Sequence, residues 1–335
     1  MVSWEIQNHC KPWPEKAQVN CRCCNGEAKK FGKFKNVNRT VQRFRCLRCG
    51  TTFSDHQPLD GIRTELADAV KVVEMLCEGV GIRAIGRLTG LDKKTVVRIL
   101  ESAGEHCARL LDSKIRNVQG QWIQVDEVFG FVFSKPQNTP HEETERGEFF
   151  TYLGVDMSSK LIINWRTSKR DGENTLAFME DLKGRMAGRF QLTTDAYTPY
   201  WQCGGAVGRV FGNSIDYATE RKIYGAANVG IWRKFNPETI IGIKRNSRIG
   251  KPDMKLATIS HAERTNLSLR LFNRRFTRRT LGYSKKLENL RHAVAIFVAH
   301  FDFCRVHSAH GRTPAQAANL TNHQWTIGEM LSATI

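Results

Sequence analysis

The stretch from residue 121 to residue 195 constrains the fold most, because segments of strand composition there surround one helical segment. Residues Gln121–Phe133 alternate in polarity and are rich in β-branched and aromatic side chains, which is typical of a strand. We predict further strands over Phe149–Asp156, Leu161–Trp165 and Phe190–Asp195, and a helix that begins at Asp171. The order strand, strand, strand, helix, strand predicts an α/β domain with a mixed sheet.

Two of the predicted strands carry an aspartate, Asp126 within the first and Asp195 at the end of the last. The order of the elements resembles that of RNase H-like domains, in which such strands are neighbours. Two carboxylates so close repel each other unless a cation lies between them. Mg²⁺ prefers oxygen ligands, so paired carboxylates are the expected residue type for a divalent site. A single strand aspartate is more often a structural group, and the hypothesis therefore rests on the whole set of acids.

A third acid, Glu263, lies on a predicted helix over Ser260–Arg270. Its helical spacing predicts that Leu267, Leu271 and Phe276 face inward. Two other acids compete for the third position, namely Asp216 and Glu220.

The charge of the chain favours a polyanionic partner. Lys and Arg number 51 against 33 Asp and Glu, a formal net charge of +18. Basic side chains placed on phosphates release condensed counterions, which is the main source of affinity for nucleic acid. A ribosome-associated or merely basic protein is the alternative on charge alone.

Sequence features that direct a chain to a membrane or to secretion are not evident. We find no apolar run of 18 residues and no basic start followed by an apolar stretch. We therefore expect no membrane partner and a reducing, cytoplasmic location, where cysteines bind metal or lie in the core.

Two Cys-x-x-Cys pairs, Cys21/Cys24 and Cys46/Cys49, predict a structural Zn²⁺ site in a zinc-ribbon-like head. Residues 25–45 separate the pairs, slightly more than the usual window of about 15–20 residues. We expect a hairpin between the pairs, over residues 33–44. Four unrelated thiols are the alternative, Cys23 could replace Cys24 as a ligand, and Cys10 is a possible outlying one.

Three short helices are predicted after the head. Apolar residues recur with a helical period over Thr64–Cys77 and again from Ile82 to Leu88, and Asp92 is the expected N-cap of a helix over Lys93–Ala103. This arrangement is typical of a helix-turn-helix, although structural three-helix units share its periodicity. We expect Val96, Ile99 and Leu100 to face inward. The expected DNA contacts are Lys93, Lys94, Thr95 and Arg98.

Three blocks of the sequence resemble transposases of the bacterial insertion sequence 1 type. The most specific is Glu263-Arg-Thr-Asn-Leu-Ser-Leu-Arg270, continued by residues 274–285, which resembles the C-terminal block of that family. Val125-Asp126-Glu127 and Thr194-Asp195-Ala-Tyr-Thr-Pro-Tyr200 resemble the two blocks with the other acids. The cysteine pairs and the predicted helix-turn-helix resemble the front end of the family, so the similarity spans nearly the whole chain.

The resemblance implies a DDE-type transposase that cleaves and joins DNA. It implies a catalytic triad of Asp126, Asp195 and Glu263 that binds two Mg²⁺ (or Mn²⁺) ions. It also implies double-stranded DNA partners, both element ends and target, and at least a homodimer in a synaptic complex associated with the bacterial nucleoid. Residues expected to orient Glu263 or a phosphate are His261 and Asn266. Further expected DNA contacts are Arg264, Arg270, Arg274, Arg275, Arg278, Arg279 and Lys285.

The expected organisation is an α/β multidomain chain. It comprises a zinc-ribbon-like head (1–58), a helix-turn-helix domain (59–115), an RNase H-like catalytic domain with a mixed five-stranded sheet (118–307), and a tail (308–335). The chain departs from the family in the interval from Asp195 to Glu263, which is 68 positions (263 − 195) and longer than in compact members. We therefore expect an insertion at about 202–258, which includes a strand near Ile240–Lys244.

Two other functions remain open at this point. A DNA-binding regulator, including a domesticated transposase, would keep the first 105 residues and need no divalent metal. An RNase H-like nuclease without strand transfer would share the same acids.

Overall fold

The computed structural model describes residues 21, 24, 26–36, 39–54, 59, 62–140, 144–225, 239–278 and 280–333. The chain divides into two compact units, Met1–Gln57 and Pro58–Ile335. In the described residues no helix is long and apolar enough to cross a membrane.

The first unit contains a three-stranded antiparallel sheet. Its strands are β1 (Ala28–Asn36), β2 (Arg39–Cys46) and β3 (Thr52–Ser54), in that spatial order. The predicted hairpin between the cysteine pairs is confirmed, because β1 pairs with β2 across that segment. Phe44 and Phe53 stack with ring centroids 5.9 Å apart and give this small sheet an apolar face.

The second unit is built on a mixed sheet of six described strands in the order β6-β5-β4-β7-β8-β9. The strands are β4 (Trp122–Val132), β5 (Gly147–Asp156), β6 (Ile162–Ser168), β7 (Gln191–Asp195), β8 (Asp216–Tyr224) and β9 (Ile240–Ile249). Strands β4, β7 and β8 run parallel to one another, and the other neighbours are antiparallel. The four predicted strands are confirmed.

The sheet has six strands where five were expected. The additional one is the antiparallel edge strand β9, which covers the predicted strand near Ile240–Lys244 and lies inside the region expected to be an insertion. Part of that region is also β8, an interior strand hydrogen-bonded to β7 and β9.

Ten α-helices and three shorter helical segments occur in the described part of the second unit. The helices are α1 (Leu66–Cys77), α2 (Ile82–Thr89), α3 (Lys93–Lys114), α4 (Gly172–Arg185), α5 (Thr198–Trp201), α6 (Ala206–Phe211), α7 (Ser260–Phe272), α8 (Leu287–Ala299), α9 (Pro314–Ala317) and α10 (Ile327–Ser332). The short segments are Pro136–Asn138, Arg274–Phe276 and, with π-helical hydrogen bonding, His300–Cys304.

The predicted helix-turn-helix segment forms α1, α2 and α3. The side chain of Asp92 caps α3 by accepting a 2.8 Å hydrogen bond from the Lys94 amide, as expected. Gly90, with φ of 72°, makes the turn before it. The predicted inward residues Val96, Ile99 and Leu100 are buried.

Helix α3 is longer than predicted and continues to Lys114. The second half buries Ala103, Cys107 and Leu110 and packs against α8. At Gly104 the two helices approach so closely that an added Cβ would lie 2.3 Å from the Cβ of His292. The apolar spacing of the first half continues through this second half, so the predicted end at Ala103 was too early, and the continued apolar face packs on α8.

Helix α7 buries a different face from the predicted one. Leu267 and Leu271 are 41% and 59% exposed, so their predicted inward orientation is wrong, whereas Phe276 is buried as predicted. The buried residues are instead Ala262, Thr265, Asn266 and Leu269. Polar contacts determine which face of α7 points inward. Gln124 of β4 accepts hydrogen bonds from the amides of His261 and Ala262 at the start of α7.

The C-terminal tail closes the helical layer. Met330 and Leu331 of α10 are fully buried, and α10 packs against α1 and α3. His106 of α3 hydrogen-bonds through Nε2 to the Met330 carbonyl at 3.1 Å. The tail is thus part of the core around the three N-terminal helices of this unit.

Candidate functional site

Parallel pairing of β4 and β7 brings two acids together. Val125 is in register with Thr194, so the next residues, Asp126 and Asp195, are adjacent where β7 ends. One carboxylate oxygen from each of Asp126, Asp195 and Glu127 lies within 4.8 Å of the others. The sequence predicted the first two members of this cluster and assigned no role to Glu127.

Each acid of the cluster has polar partners from a different element. Asp126 accepts a 2.7 Å hydrogen bond from Asn266 of α7. Asp195 accepts a 2.9 Å bond from the Tyr197 amide just after β7. Glu127 accepts a hydrogen bond from the hydroxyl of Tyr200 on α5. Thus α7 and the α5 segment hold the cluster from two directions.

Arg170 is the cation of the cluster. Its Nη2 lies 2.9 Å from a Glu127 oxygen and 3.1 Å from an Asp195 oxygen. The guanidinium also lies over the ring of Tyr197, 3.8 Å from the centroid. Position 170 immediately precedes Asp171, whose side chain caps α4 by accepting from the Asn174 amide, so the start of that helix fixes the arginine.

Burial and mutual repulsion make the cluster a poor place for three negative charges. Burial, together with the neighbouring charge of Asp195, raises the pKa of Asp126 to about 7 and the pKa of Glu127 to about 8. Burial also raises the pKa of Asp195, although the Tyr197 amide and Arg170 oppose that shift. A cation bound beside these three carboxylates would therefore stabilise their ionised forms.

Glu263, the predicted third acid, lies one helical turn before Asn266 on α7. It forms an ion pair with Lys222 of β8 and is not among the three carboxylates within 4.8 Å. Its charge nevertheless contributes to the raised pKa of Asp126. Glu263 therefore lies at the rim of the cluster, with its side chain 36% exposed.

The two competing acids have structural partners. Asp216 is at the opposite end of the parallel strands, in register with Gln191, and pairs with Arg189 at 2.7 Å. Glu220 is buried and pairs with Arg245 of β9 at 2.9 Å.

The donor set fits a hard divalent cation. Asp126 and Asp195 present oxygen ligands from adjoining strands, with Glu127 beside them and Glu263 at the rim. Mg²⁺ and Mn²⁺ accept such carboxylate and water ligands. Three acids with one arginine in so small a volume would gain stability from the charge of the cation.

The four predicted cysteines come together in the first unit. The sulfurs of Cys21 and Cys49 are 3.6 Å apart, and those of Cys24 and Cys46 are 3.5 Å apart. A tetrahedral zinc with Zn–S bonds of about 2.3 Å requires sulfur separations of about 3.8 Å. The cluster therefore has the chemistry and nearly the dimensions of a structural zinc site.

Hydrogen bonds favour the thiolate form of two of the four cysteines, Cys46 and Cys49. The amides of Arg48 and Cys49 point at the sulfur of Cys46, 3.3 and 3.4 Å away, and lower its pKa. Contact with Thr51 lowers the pKa of Cys49 to about 6. The alternative ligands Cys10 and Cys23 lie outside the described residues.

The predicted DNA contacts occupy two surfaces. At the start of α3, Lys93, Lys94 and Arg98 are exposed, and Thr95 is half-buried. The others follow Glu263 along α7 and the segment after it. Arg264, Arg274, Arg278 and Lys285 are exposed, Arg270 is half-buried, and Arg279 lies outside the described residues.

Arg275 is the most enclosed of the predicted DNA contacts. Burial lowers its pKa to about 10, and its Nε donates to the hydroxyl of Ser284 at 2.9 Å. It lines a cavity of about 760 Å³ together with Arg270 and the aromatic residues Phe131 and Tyr283.

His261 and Asn266 were expected to orient Glu263 or a phosphate. Asn266 donates to Asp126, and Nδ1 of His261 lies 3.3 Å from the Lys160 ammonium. Sequence reasoning missed Arg170, Tyr200 and Lys222. Tyr200 lies within the quoted block around Asp195, but no spacing rule pairs it with Glu127.

No protein-family model and no curated protein matches this sequence. Among solved structures, the chain is similar to a piggyBac transposase in a synaptic complex with hairpin DNA, determined by cryo-electron microscopy. The TM-score is 0.39 and the identity 9%, over 80% of this chain and 70% of that chain.

Proposed function

We propose that this chain is a DNA transposase of the DDE type, which performs metal-dependent phosphoryl transfer at the carboxylate cluster. The observation that carries the proposal is the meeting of Asp126 and Asp195 at the parallel β4–β7 pair, with Glu263 of α7 at the rim. Strands β4, β5 and β6, helix α4 and strand β7, which ends in an acid, follow the order expected of an RNase H-like domain, and β8 and β9 continue the sheet beyond β7.

Asp126 and Asp195 are the shared metal ligands in this proposal, and Glu263 completes the triad. Bound Mg²⁺ ions would activate the attacking oxygen and stabilise the leaving oxygen in an in-line displacement at phosphorus. Asn266 holds the Asp126 carboxylate through a hydrogen bond of 2.7 Å. Glu127 and Tyr200 position Arg170, which touches Asp195 directly.

The remaining surfaces supply DNA binding. The exposed start of α3 is the proposed recognition element for the ends of the mobile element, and the four-cysteine head is a zinc-stabilised accessory. The basic residues from Arg264 to Lys285 continue directly from the helix that carries Glu263, so they would hold DNA next to the acids. Pairing of two DNA ends requires at least a dimer.

The test is DNA cleavage and joining by the purified full-length chain with labelled, terminally repeated DNA and Mg²⁺. Asp195→Asn is the site variant, and Asp216→Asn, at the other end of the strands, is the control. We expect products from the wild type and the control and at least a hundredfold fewer from Asp195→Asn. Equal activity from Asp195→Asn would show that other carboxylates act.

A DNA-binding regulator is the second candidate, because the acids already have partners within the chain. Arg170 pairs with Glu127 and Asp195, and Lys222 pairs with Glu263, as expected of structural acids. Specific binding to the element ends with no metal-dependent product would favour this candidate.

A further inference from the structure

A cavity of about 640 Å³ opens beside the end of β7 and is lined by Ala196 and Thr198, which follow Asp195. Its other lining residues are Trp201, Arg221, Lys244, Asn246 and Arg248. Three of these seven are cations and none is an acid. Among the described residues, no ion pair involves Arg221, Lys244 or Arg248.

The architecture of β8 and β9 places these cations on one wall. Arg221 is in register with Lys244, so their side chains share a face of the sheet. The pairing of β8 with β9 skips Arg248, which forms a bulge. Its guanidinium lies 3.8 Å from the centroid of the Trp201 ring, and its Nε donates to Thr219 at 3.1 Å.

The Trp201 ring is held in place. Its Nε1 donates to the carbonyl of Ala196 at 3.2 Å, which links the indole to the loop after Asp195. A second cavity of about 620 Å³ lies against the same tryptophan–arginine pair and is also lined by Arg209. The stacked pair thus stands between two openings that both carry positive charge.

The cavity and Glu263 lie on opposite faces of the sheet. Side chains of successive strand residues point to opposite faces, so Arg221 and Lys222 of β8 diverge. Lys222 pairs with Glu263 on the α7 face, and Arg221 lines the cavity. The residues that follow Asp195 at the end of β7, Ala196 and Thr198, line the cavity and so lie between it and the acids.

We propose that this cavity binds an unpaired DNA strand next to the cleaved phosphate, with phosphates on Arg221 and Lys244 and a base stacked against the Trp201–Arg248 pair. This inference rests on the proposed function for the identity of the substrate. Stacking on an aromatic wall beside a cationic groove is the chemistry by which proteins hold single strands. Intact duplex does not expose base faces for that stacking.

The test compares two fluorescent duplexes in EDTA, one blunt and one with a single-stranded tail of about ten nucleotides. The ratio of the two Kd values isolates the contribution of the tail from duplex binding elsewhere on the chain. We expect the tailed duplex to bind the wild type at least fivefold more tightly. In Arg221→Gln/Lys244→Gln and in Trp201→Ala, the ratio should fall to near one.

Lys255→Gln, which removes an exposed lysine outside the cavity, is the matched control and should keep the wild-type ratio. The Arg221→Gln/Lys244→Gln variant changes only exposed side chains, so its thermal transition should match the wild type. A wild-type ratio of one, or an unchanged ratio in the double variant, would overturn the proposal. Because no metal is present, either result is independent of whether the chain cleaves DNA.

Photocrosslinking gives a second readout with positional resolution. With 5-iodouracil in the tail, the crosslinked peptide should contain Trp201. A crosslink confined to α3, or to the cavity that Arg275 lines with Arg270, would contradict the proposed site.

Discussion

Among individual side chains, the central feature is a set of acids whose negative charge exceeds that of the cations around it. Asp126, Glu127 and Asp195 share one small volume with Arg170, and Glu263 has its own lysine at the rim. This division indicates different roles for the two glutamates. Glu127 is buried and pairs with Arg170, whereas Glu263 is partly exposed and pairs with Lys222, which a bound cation would have to replace.

The Mn²⁺ affinity of variants that each lack one acid should distinguish these roles. The affinity is measured from the electron paramagnetic resonance signal of free Mn²⁺. We expect Asp195→Asn and Glu263→Gln to weaken binding by about tenfold or more, a loss of about 1.4 kcal/mol or more. Glu127→Gln should change the affinity by less than about threefold, because it removes a partner of Arg170 and not a ligand. The opposite ranking of Glu127 and Glu263 would assign the third ligand to Glu127.

The raised pKa values predict an unusual pH dependence of the metal-free protein. The pKa values of Asp126 and Glu127 are about 7 and about 8 when folded, against ordinary values of 3.8 and 4.5. The folded state therefore holds more protons than the unfolded chain between about pH 4 and pH 8, and stability falls as pH rises through that window. We expect the Tm in EDTA to fall from pH 6.5 to 8.5.

Asp126→Asn and Glu127→Gln should flatten this decline, because a neutral amide has no proton to lose. Glu148→Gln, at an exposed position on β5, should leave the wild-type slope unchanged. A wild-type Tm that rises over the same pH interval in EDTA would contradict the raised pKa values of Asp126 and Glu127.

At the element scale, the close crossing of α3 and α8 should be sensitive to a single methyl group. Gly104→Ala places a Cβ 2.3 Å from the Cβ of His292, so the helices must separate. We expect a loss of about 1–3 kcal/mol in the free energy of unfolding, measured by urea titration.

Gly184→Ala is the matched control for this crossing. Gly184 is also within a helix, but it is exposed, and the nearest atom to an added Cβ is the Arg116 side chain at 4.0 Å. Its substitution should stabilise the protein by up to about 1 kcal/mol through helix propensity. Equal effects of the two substitutions would show that the helices do not meet at Gly104.

Individual elements show how far sequence reasoning extends. Strands β4, β5, β6 and β7 were predictable because strand composition and turn residues bound each of them. The inward face of α7 was not predictable, because its polar contacts with Gln124 and Asp126 outweigh the helical spacing of its leucines. Asp126 and Asp195 could be named in advance. Arg170 and Lys222 could not, since long-range contacts alone bring them to the acids.

At the scale of the whole molecule, the division into two units predicts independent responses to metal removal. The cysteine cluster and its three strands belong to the first unit, and the carboxylate cluster belongs to the second. A zinc chelator or Cys46→Ser should abolish zinc binding, measured as about one zinc per chain by elemental analysis. The main calorimetric transition, which reports the second unit, should keep its Tm.

Asp195→Asn provides the reciprocal control, because it should leave the zinc content unchanged. A main transition that falls with zinc loss would show that the two units stabilise each other.

Helix α3 joins the surface proposed to bind element ends to the layer that supports the sheet. Its first turn carries Lys93 and Lys94, and ten residues beyond Lys94, about 15 Å along the axis, Gly104 lies against α8. The helix is continuous from Lys93 to Lys114, so it fixes the distance between its first turn and the contact with α8. In the proposed transposase, the phosphate that reaches Asp126 and Asp195 would be selected by its distance from the bases bound at the start of α3, so the protein would not need to recognise the bases at the cut.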